Sequence, residues 1–262
     1  MWGQIKKRIP NLRSACRMPH AAYAAALDLL FPRQVKCALC DIELGEDFPF
    51  NLCPDCTEGL LPIGTGGCRI CGRLVGAFAW RGLCPHCQTE RVWLHAGYSA
   101  FAYGDAAQAI IHGLKYHRKP WLAHSMAAQM SPGVRDLCAR QGFTALVPVP
   151  VHRERLKERG YNQAELLARE LSALPGIPPT VSALERIRAT EAQNQLSRQE
   201  RLRNVTGAFA PGQEDLRTGV PARALLIDDV LTTGSTLNAC ARVLTENGSS
   251  CIGAATYASV SA

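Results

Sequence analysis

The twelve residues 225–236, with the sequence LLIDDVLTTGST, constrain the possible fold of this chain more than any other stretch. An apolar run is followed by two adjacent carboxylates, Asp228 and Asp229, and then by a short turn rich in hydroxyl groups. This order predicts a buried strand that ends at the aspartates and a turn that opens a helix. The unpaired N–H groups at a helix start attract anions, so the turn is suited to bind a phosphate.

The two aspartates give this turn a more specific meaning than its hydroxyl groups alone would. Adjacent carboxylates repel each other and are stabilised by a compensating ligand, such as sugar hydroxyls or a metal ion. An ordinary, well-capped turn is the alternative interpretation. The whole string resembles the signature with which type I phosphoribosyltransferases bind phosphoribosyl pyrophosphate (PRPP).

The length of the chain is sufficient for a main domain and a small module, and its charge is concentrated in an N-terminal tail. The chain has 262 residues and a net charge of +7, of which residues 1–36 account for +6. Their pattern differs from a signal peptide because Pro19 and His20 precede the apolar part and Asp28 interrupts it. We therefore expect a cytoplasmic protein without membrane insertion, whose basic tail is either solvated or in contact with nucleic acid.

Eight of the twelve cysteines predict two zinc sites. They form four Cys-x-x-Cys pairs separated by 12, 11 and 12 residues: Cys37/Cys40, Cys53/Cys56, Cys68/Cys71 and Cys84/Cys87. Each pair aims two thiolates at one point, and two pairs complete a tetrahedral Zn²⁺ shell, so the zinc is expected to be structural. Successive ribbons, with the first pair joined to the second, are favoured over a cross-braced arrangement that joins the first pair to the third.

The remaining cysteines and the histidine of the last pair carry no predicted role at the zinc sites. We expect His86 to be a bystander, because four cysteines already complete its site. Outside the pairs, Cys16, Cys138, Cys240 and Cys251 lack partners at ligand spacing. Buried cysteine of this kind is usually a small apolar residue.

After about Val92 the sequence alternates between strand and helix patterns, which predicts a doubly wound parallel α/β sheet. The predicted strands are 98–103, 144–150, 181–184, 222–227 and 251–257, and the predicted helices are 105–116, 121–130, 161–174 and 237–246. We expect the strand before the aspartates to be central and the last strand to close the sheet.

Two basic segments are candidates for binding pyrophosphate. The loop after Pro150 carries His152, Arg153, Arg155 and Arg159, and guanidinium groups bind phosphates through paired donors. A polar connection at 186–204 carries Arg198, Arg201 and Arg203 and is typical of a lid. A solvated turn and an exposed helix are the respective alternatives.

The order of the motifs resembles the ComF family over roughly residues 27–260. The motifs are the cysteine pairs, LKY (114–116), RGYNQ (159–163), Thr190-x-x-Gln193-x-x-Leu196, Asn204-Val205 with Phe209, and LIDDVLTTGST. The resemblance implies a type I phosphoribosyltransferase-like sheet preceded by a four-cysteine zinc-ribbon module. We expect the chain to divide into a basic tail (1–19), which lies outside the resemblance, a helix (20–35), a double zinc ribbon (36–91) and a phosphoribosyltransferase-like domain (92–262).

The same resemblance implies a PRPP pocket with Mg²⁺ bridging ribose and pyrophosphate. The implied roles are catalysis by Asp228, Asp229 and Arg153, 5-phosphate binding by Thr232, Thr233, Gly234, Ser235 and Thr236, and pyrophosphate binding by His152, Arg153, Arg155, Arg198 and Arg201. The expected function is that of a phosphoribosyltransferase in DNA uptake, DNA utilisation or nucleotide salvage. A catalytically silent PRPP sensor or an adaptor for single-stranded DNA on the same fold is the alternative, and the acceptor and the oligomeric state stay open.

Overall fold

A computed structural model of the protein describes residues 36–45, 51–75, 80–188, 207–212 and 219–261. The basic tail (1–19), the helix expected at 20–35 and Cys16 lie outside these residues, as do two expected pyrophosphate ligands, Arg198 and Arg201. Within the described ranges, no helix has both the length and the apolar character needed to cross a membrane.

Short helices and turns in the cysteine-rich part are followed by longer helices and strands. In chain order the described elements are α1 (Pro54–Glu58), α2 (Pro85–Thr89), β1 (Ala96–Ala102), α3 (Asp105–Tyr116), α4 (Leu122–Gln141), β2 (Ala145–Pro148), α5 (Arg153–Arg159), α6 (Gln163–Ser172), β3 (Leu184–Arg186), β4 (Phe209–Pro211), β5 (Arg223–Leu231), α7 (Ser235–Glu246) and β6 (Cys251–Ser259). Two short 3₁₀ turns, Gly64–Gly66 and Trp80–Gly82, lie between α1 and α2.

Four parallel strands form the central sheet in the order β1-β6-β5-β2. Side chains alternate along β5, so that Leu225 and Ile227 belong to one apolar core and Ala224 and Leu226 to another. Helices α4 and α6 pack on the first side of the sheet and α7 packs on the second. Covering both faces is the usual arrangement of a parallel sheet, and it confirms the predicted α/β fold class.

The structure confirms α3 at its predicted boundaries, whereas α4 is longer than predicted. The prediction ended this helix at Met130, but α4 continues through Pro132 to Gln141 and stops at Gly142, whose φ of 64° is left-handed. A Cβ at Gly133 would lie 2.2 Å from Cζ of Tyr98. The close packing of α4 against β1 therefore depends on this glycine. The free energy gained by this packing outweighs the cost of placing Pro132 inside a helix.

The strand predicted at 181–184 lies instead at Leu184–Arg186. Thr180 makes one isolated parallel bridge to Leu146 at the edge of the sheet, and the chain then leaves this edge. Pro178 and Pro179 precede that bridge, and proline has no N–H with which to continue a hydrogen-bonded ladder. The following residues form β3, which pairs with β4 in a separate antiparallel sheet.

Strand β6 lies inside the sheet, between β1 and β5, instead of closing it. All nine of its residues are buried, which is the pattern of a strand covered on both faces. Strand β5 also extends beyond its predicted end and includes the aspartates, because Asp228 pairs with Thr256 and Leu231 pairs with Ser259. Helix α5 follows β2, where the sequence predicted only a loop.

The second half of the cysteine module contacts the sheet directly, backbone against backbone. The N–H of Gly97 in β1 donates to the carbonyl of Arg69 at 3.1 Å. A Cβ at Gly97 would lie 2.2 Å from the carbonyl carbon of Cys71, and a Cβ at Gly72 would lie 2.6 Å from backbone atoms of Tyr98. Two glycines thus allow the module to sit against β1 with no side chain between them.

We expect Gly97→Ala to destabilise the protein by about 1–3 kcal/mol, because the added methyl group forces the module away from β1. The urea midpoint, followed by circular dichroism, measures this change. Gly104→Ala is the matched control, since among the described residues no atom beyond its chain neighbours lies within 4 Å of a Cβ there. We expect its effect to stay within about 0.5 kcal/mol. Equal midpoints for Gly97→Ala and the wild type would contradict the contact.

Candidate functional site

The eight paired cysteines form two clusters, and in each the four sulfur atoms lie within 4.8 Å of one another. Cys40 Sγ is 3.6 Å from Cys53 Sγ, and Cys71 Sγ is 3.7 Å from Cys84 Sγ. Zn–S bonds of about 2.3 Å place the sulfurs of a tetrahedral shell about 3.8 Å apart, whereas a disulfide bond measures about 2.05 Å. These donors and spacings fit Zn²⁺ sites and do not fit disulfides.

The clusters settle the pairing of the cysteine motifs. One contains Cys37, Cys40, Cys53 and Cys56, and the other contains Cys68, Cys71, Cys84 and Cys87. Successive ribbons are therefore confirmed and the cross-braced alternative is excluded. Both ribbons are built alike, because a cysteine followed by proline opens the short helix of each. Four thiolates fill each shell, so neither zinc can bind a substrate.

The other cysteines of the described chain and His86 lie outside both clusters. Cys138, Cys240 and Cys251 are buried. Burial raises the pKa of the Cys138 thiol to about 11, so it stays protonated at neutral pH. His86 Nδ1 lies 3.4 Å from Glu90 Oε1 on the same short helix, as expected for a bystander.

An acidic pair lies near the carboxyl end of β5, with Asp229 buried and Asp228 half-buried. Asp229 is 2% exposed, and its Oδ1 accepts a 2.8 Å charged contact from Lys115 Nζ of α3. Burial lowers the pKa of Lys115, but the charges of the two aspartates raise it by more than burial lowers it. The pKa of Lys115 therefore lies above its ordinary value, and the amine stays charged. Within the described residues Asp229 Oδ2 has no hydrogen-bond partner. A buried carboxylate oxygen without a donor is costly and is suited to a cation or a hydroxyl ligand.

The same surroundings raise the pKa of the Asp228 carboxyl group. Burial raises the pKa of Asp228 to about 7, and the charge of Asp229 adds to this shift while Lys115 opposes it. Its Oδ1 accepts a hydrogen bond from the N–H of Asp229 at 2.9 Å. Asp228 is therefore partly protonated near neutral pH, and a bound cation would favour its ionised form.

The hydroxyl-rich turn follows β5 and opens α7, as the sequence predicts. Gly234 precedes the first residue of the helix with a left-handed φ of 83°, a conformation that favours glycine. Thr233 Oγ1 lies 2.9 Å from Ser235 Oγ and accepts a 3.4 Å hydrogen bond from the N–H of Ser235. Thr232 and Thr236 are half-buried at the same turn. Hydroxyls and the N–H groups of a helix start thus converge, an arrangement suited to an anion.

The basic loop after β2 reaches this edge in part. His152 begins α5 by accepting a 3.4 Å hydrogen bond from the N–H of Glu154, and Arg153 is exposed. Burial lowers the pKa of Arg186 in β3, the charge of Arg155 adds to this, and Asp228 opposes it. Arg155 and Arg186 therefore share one electrostatic environment with the acidic pair.

The RGYNQ motif is a scaffold for this edge. Tyr161 donates from its hydroxyl to the carbonyl of Leu114 at 2.5 Å, which holds the end of α3 next to Lys115. Asn162 donates to the carbonyl of Val149 at 3.1 Å and also caps α6. The side chain of Arg159 contacts Gln163 and the ring of Tyr116. Arg159, which the sequence placed with the pyrophosphate ligands, has a structural role here.

Two charged residues of the edge carried no role in the sequence-based prediction. Lys115 belongs to the LKY motif, but a lysine on an amphipathic helix normally faces solvent. Arg186 lies in the short β3, which the sequence placed elsewhere. Lys115 contacts Asp229, and the charge of Arg186 interacts with that of Asp228, although these residues lie on elements far apart in the chain.

We expect the purified protein to contain two zinc ions per chain, one for each cluster. Replacing Cys40 with serine removes one thiolate from the first shell and should reduce the content to about one zinc per chain. Atomic emission on dialysed protein measures the metal, and Cys138→Ala is the matched control that keeps both ions. A wild-type content of one zinc or none would contradict the assignment.

We expect Asp228→Asn to stabilise the protein at about pH 8.5 by roughly 2–4 kcal/mol, measured as the urea midpoint. The folded-state pKa of Asp228, about 7, lies above its ordinary value of 3.8. The folded wild type therefore binds more protons and loses stability as the pH rises through this interval. The gain should shrink towards about pH 6. The exposed Asp136, paired with Arg140, is the control as Asp136→Asn, and a gain independent of pH would contradict the shift.

Comparison with known proteins places the chain in a family. A double zinc ribbon domain matches residues 26–90. Competence protein F of Haemophilus influenzae is 29% identical over 218 residues, covering 76% of this chain and 93% of that protein. DNA utilization protein YhgH of Salmonella typhimurium is 30% identical over 225 residues (77% and 94%), and competence protein ComFC of Bacillus subtilis is 28% identical over 228 residues (81% and 89%). The chain belongs to the ComF family of competence and DNA utilization proteins.

Proposed function

We propose that the protein binds PRPP at the carboxyl edge of its sheet and acts as a phosphoribosyltransferase-type protein in DNA uptake or utilisation. The observation that carries this proposal is the pair of Asp228 and Asp229 directly before a hydroxyl-rich helix start, in which the buried Asp229 contacts Lys115. One edge thereby combines oxygen ligands for sugar hydroxyls with N–H donors for a phosphate.

Each part of PRPP has a group of residues suited to it. The turn at 232–236 binds the 5-phosphate, because its N–H groups and hydroxyls are donors. The aspartates accept hydrogen bonds from the ribose hydroxyls. The pyrophosphate is assigned to His152, Arg153 and Arg155, together with Arg198 and Arg201 of the segment outside the described residues.

The acidic pair also fits a magnesium ion that accompanies PRPP. Oδ2 of Asp229 is a hard oxygen ligand with no hydrogen-bond partner in the described part of the chain. Mg²⁺ is commonly held by one or two carboxylates together with substrate phosphates. When bound, the ion would neutralise charge on the pyrophosphate. The contact of Lys115 with Oδ1 fixes the orientation of the Asp229 carboxylate and leaves Oδ2 for the ligand.

Catalysis by these residues would be mainly electrostatic. As the C1–O bond of PRPP breaks, positive charge develops on the ribose ring and negative charge on the leaving pyrophosphate. Asp228 and Asp229 would stabilise the ring side, and the arginines of the loop after β2 would stabilise the leaving group. Exclusion of water would protect the ring from hydrolysis.

A PRPP sensor or a DNA-handling adaptor without turnover is a second candidate on the same site. The observation in its favour is that the similar proteins are named for competence and DNA utilization, which describe DNA handling. Fold and site alone do not separate binding from turnover. The transferase and the sensor both require PRPP in the pocket, so PRPP binding is the first measurement.

We expect PRPP with Mg²⁺ to bind the wild type and to fail to bind the double variant Asp228→Asn/Asp229→Asn, measured by isothermal titration calorimetry. Circular dichroism and zinc content should show that the variant is folded. Asp136→Asn, which removes an exposed carboxylate on α4, is the matched control and should bind normally. Unchanged affinity in the double variant would refute the assignment of the acidic pair.

Turnover is then measured as pyrophosphate release with nucleobases and amines as acceptors. Release that depends on an acceptor supports the transferase, and tight binding without release supports the sensor. Binding of single-stranded DNA that weakens steeply with salt, in the absence of PRPP binding, would replace the proposal with the adaptor.

A further inference from the structure

Arg73 of the second zinc ribbon lies at the carboxyl edge of the sheet, far in sequence from the residues assigned above. Its carbonyl accepts a 2.7 Å hydrogen bond from the N–H of Cys68, which ties it to the zinc-binding turn. The next residue, Leu74, donates its N–H to Ser259 Oγ at 3.0 Å. Ser259 ends β6 and pairs with Leu231, the last residue of β5. The backbone of Arg73 is therefore fixed beside the start of the 232–236 turn.

The side chain of Arg73 is buried and extends towards that turn. The residue is 8% exposed, and its Nε has no hydrogen-bond partner within the described chain. Its Nη2 lies 3.8 Å from the position that a Cβ of Gly234 would occupy. A guanidinium thus reaches the residue that precedes the helix start, at the place where N–H groups already favour an anion.

A role in stabilising the fold does not explain why an arginine is buried at position 73. Burying a charged group without a partner costs several kcal/mol, and a well-packed apolar residue would avoid that cost. Arginine is the preferred side chain for binding phosphate, because its planar group offers several donors in a fixed geometry. An anion in the 232–236 turn would provide a partner for the guanidinium, whose Nε has none among the described residues.

We infer that Arg73 is a ligand for the 5-phosphate bound in the 232–236 turn, so that the second zinc ribbon supplies one wall of the sugar-phosphate site. The inference rests on the proposed function, because it requires a phosphate in this turn. It goes beyond that function by making the ribbon part of the binding site.

The test compares Arg73→Met with Arg69→Met in the full-length, zinc-loaded protein. Methionine keeps much of the length of arginine but removes its donors. Arg69 lies in the same ribbon, is exposed, and contacts the sheet through its backbone. Calorimetry measures the affinities for ribose 5-phosphate, PRPP and inorganic pyrophosphate, and urea unfolding measures the stability of the ligand-free protein.

We expect Arg73→Met to weaken ribose 5-phosphate and PRPP by the same factor, about 10- to 100-fold. Affinity for inorganic pyrophosphate should be unchanged, and Arg69→Met should resemble the wild type in every titration. The urea midpoint of ligand-free Arg73→Met should equal or exceed that of the wild type, since an unpaired buried charge has been removed. Arg73→Lys should recover part of the lost affinity, because it restores the charge but not the paired donors.

Several results would overturn the inference. If the wild type binds ribose 5-phosphate and Arg73→Met binds it equally well, Arg73 is not a ligand and the proposed function stands. If Arg73→Met loses zinc or has a lower urea midpoint, its role is in the scaffold. If the wild type binds neither ribose 5-phosphate nor PRPP, the inference and the proposed function fail together.

Discussion

The arrangement of this protein depends on two adjacent carboxylates at the end of a buried strand. A low-dielectric setting makes like charges repel strongly, and Lys115 forms a salt bridge with Asp229 of the pair. Asp228 responds with a raised pKa. The surrounding elements maintain this arrangement, since Tyr161 holds α3 through the carbonyl of Leu114. The edge is thus kept in a state that a ligand with hydroxyls, phosphates and a cation would relieve.

The zinc ribbons and the sheet form one structural unit. Segments this short bury too little apolar surface to fold alone, so the zinc–thiolate bonds supply the missing stabilisation. The close backbone contacts at Gly72 and Gly97 then fix the position of the second ribbon against the sheet, with no flexible side chains between them. A rigid module of this kind can hold a buried arginine at the sheet edge, which a surface loop would do with less accuracy.

Local patterns were reliable where the interaction that matters is close in sequence. The zinc ligands followed from the spacing of cysteines, and α3 followed from its apolar periodicity. The predictions failed where packing between elements that are distant in sequence determines where a helix or strand begins and ends. Helix α4 continues through Pro132 and packs against β1, where Gly133 lies against Tyr98. The strand expected at 181–184 is replaced by β3, which pairs with β4 and not with the central sheet.

The sequence by itself determined the chemical groups of the site, namely four thiolates for each zinc and two aspartates followed by a turn that opens a helix. These depend on spacings of a few residues, which covalent geometry converts directly into local structure. Only the tertiary structure decided that β6 lies inside the sheet, that Lys115 faces Asp229 and that Arg73 reaches Gly234. Those contacts join residues separated by long stretches of chain, and they form only when burial of the two apolar cores brings the elements together.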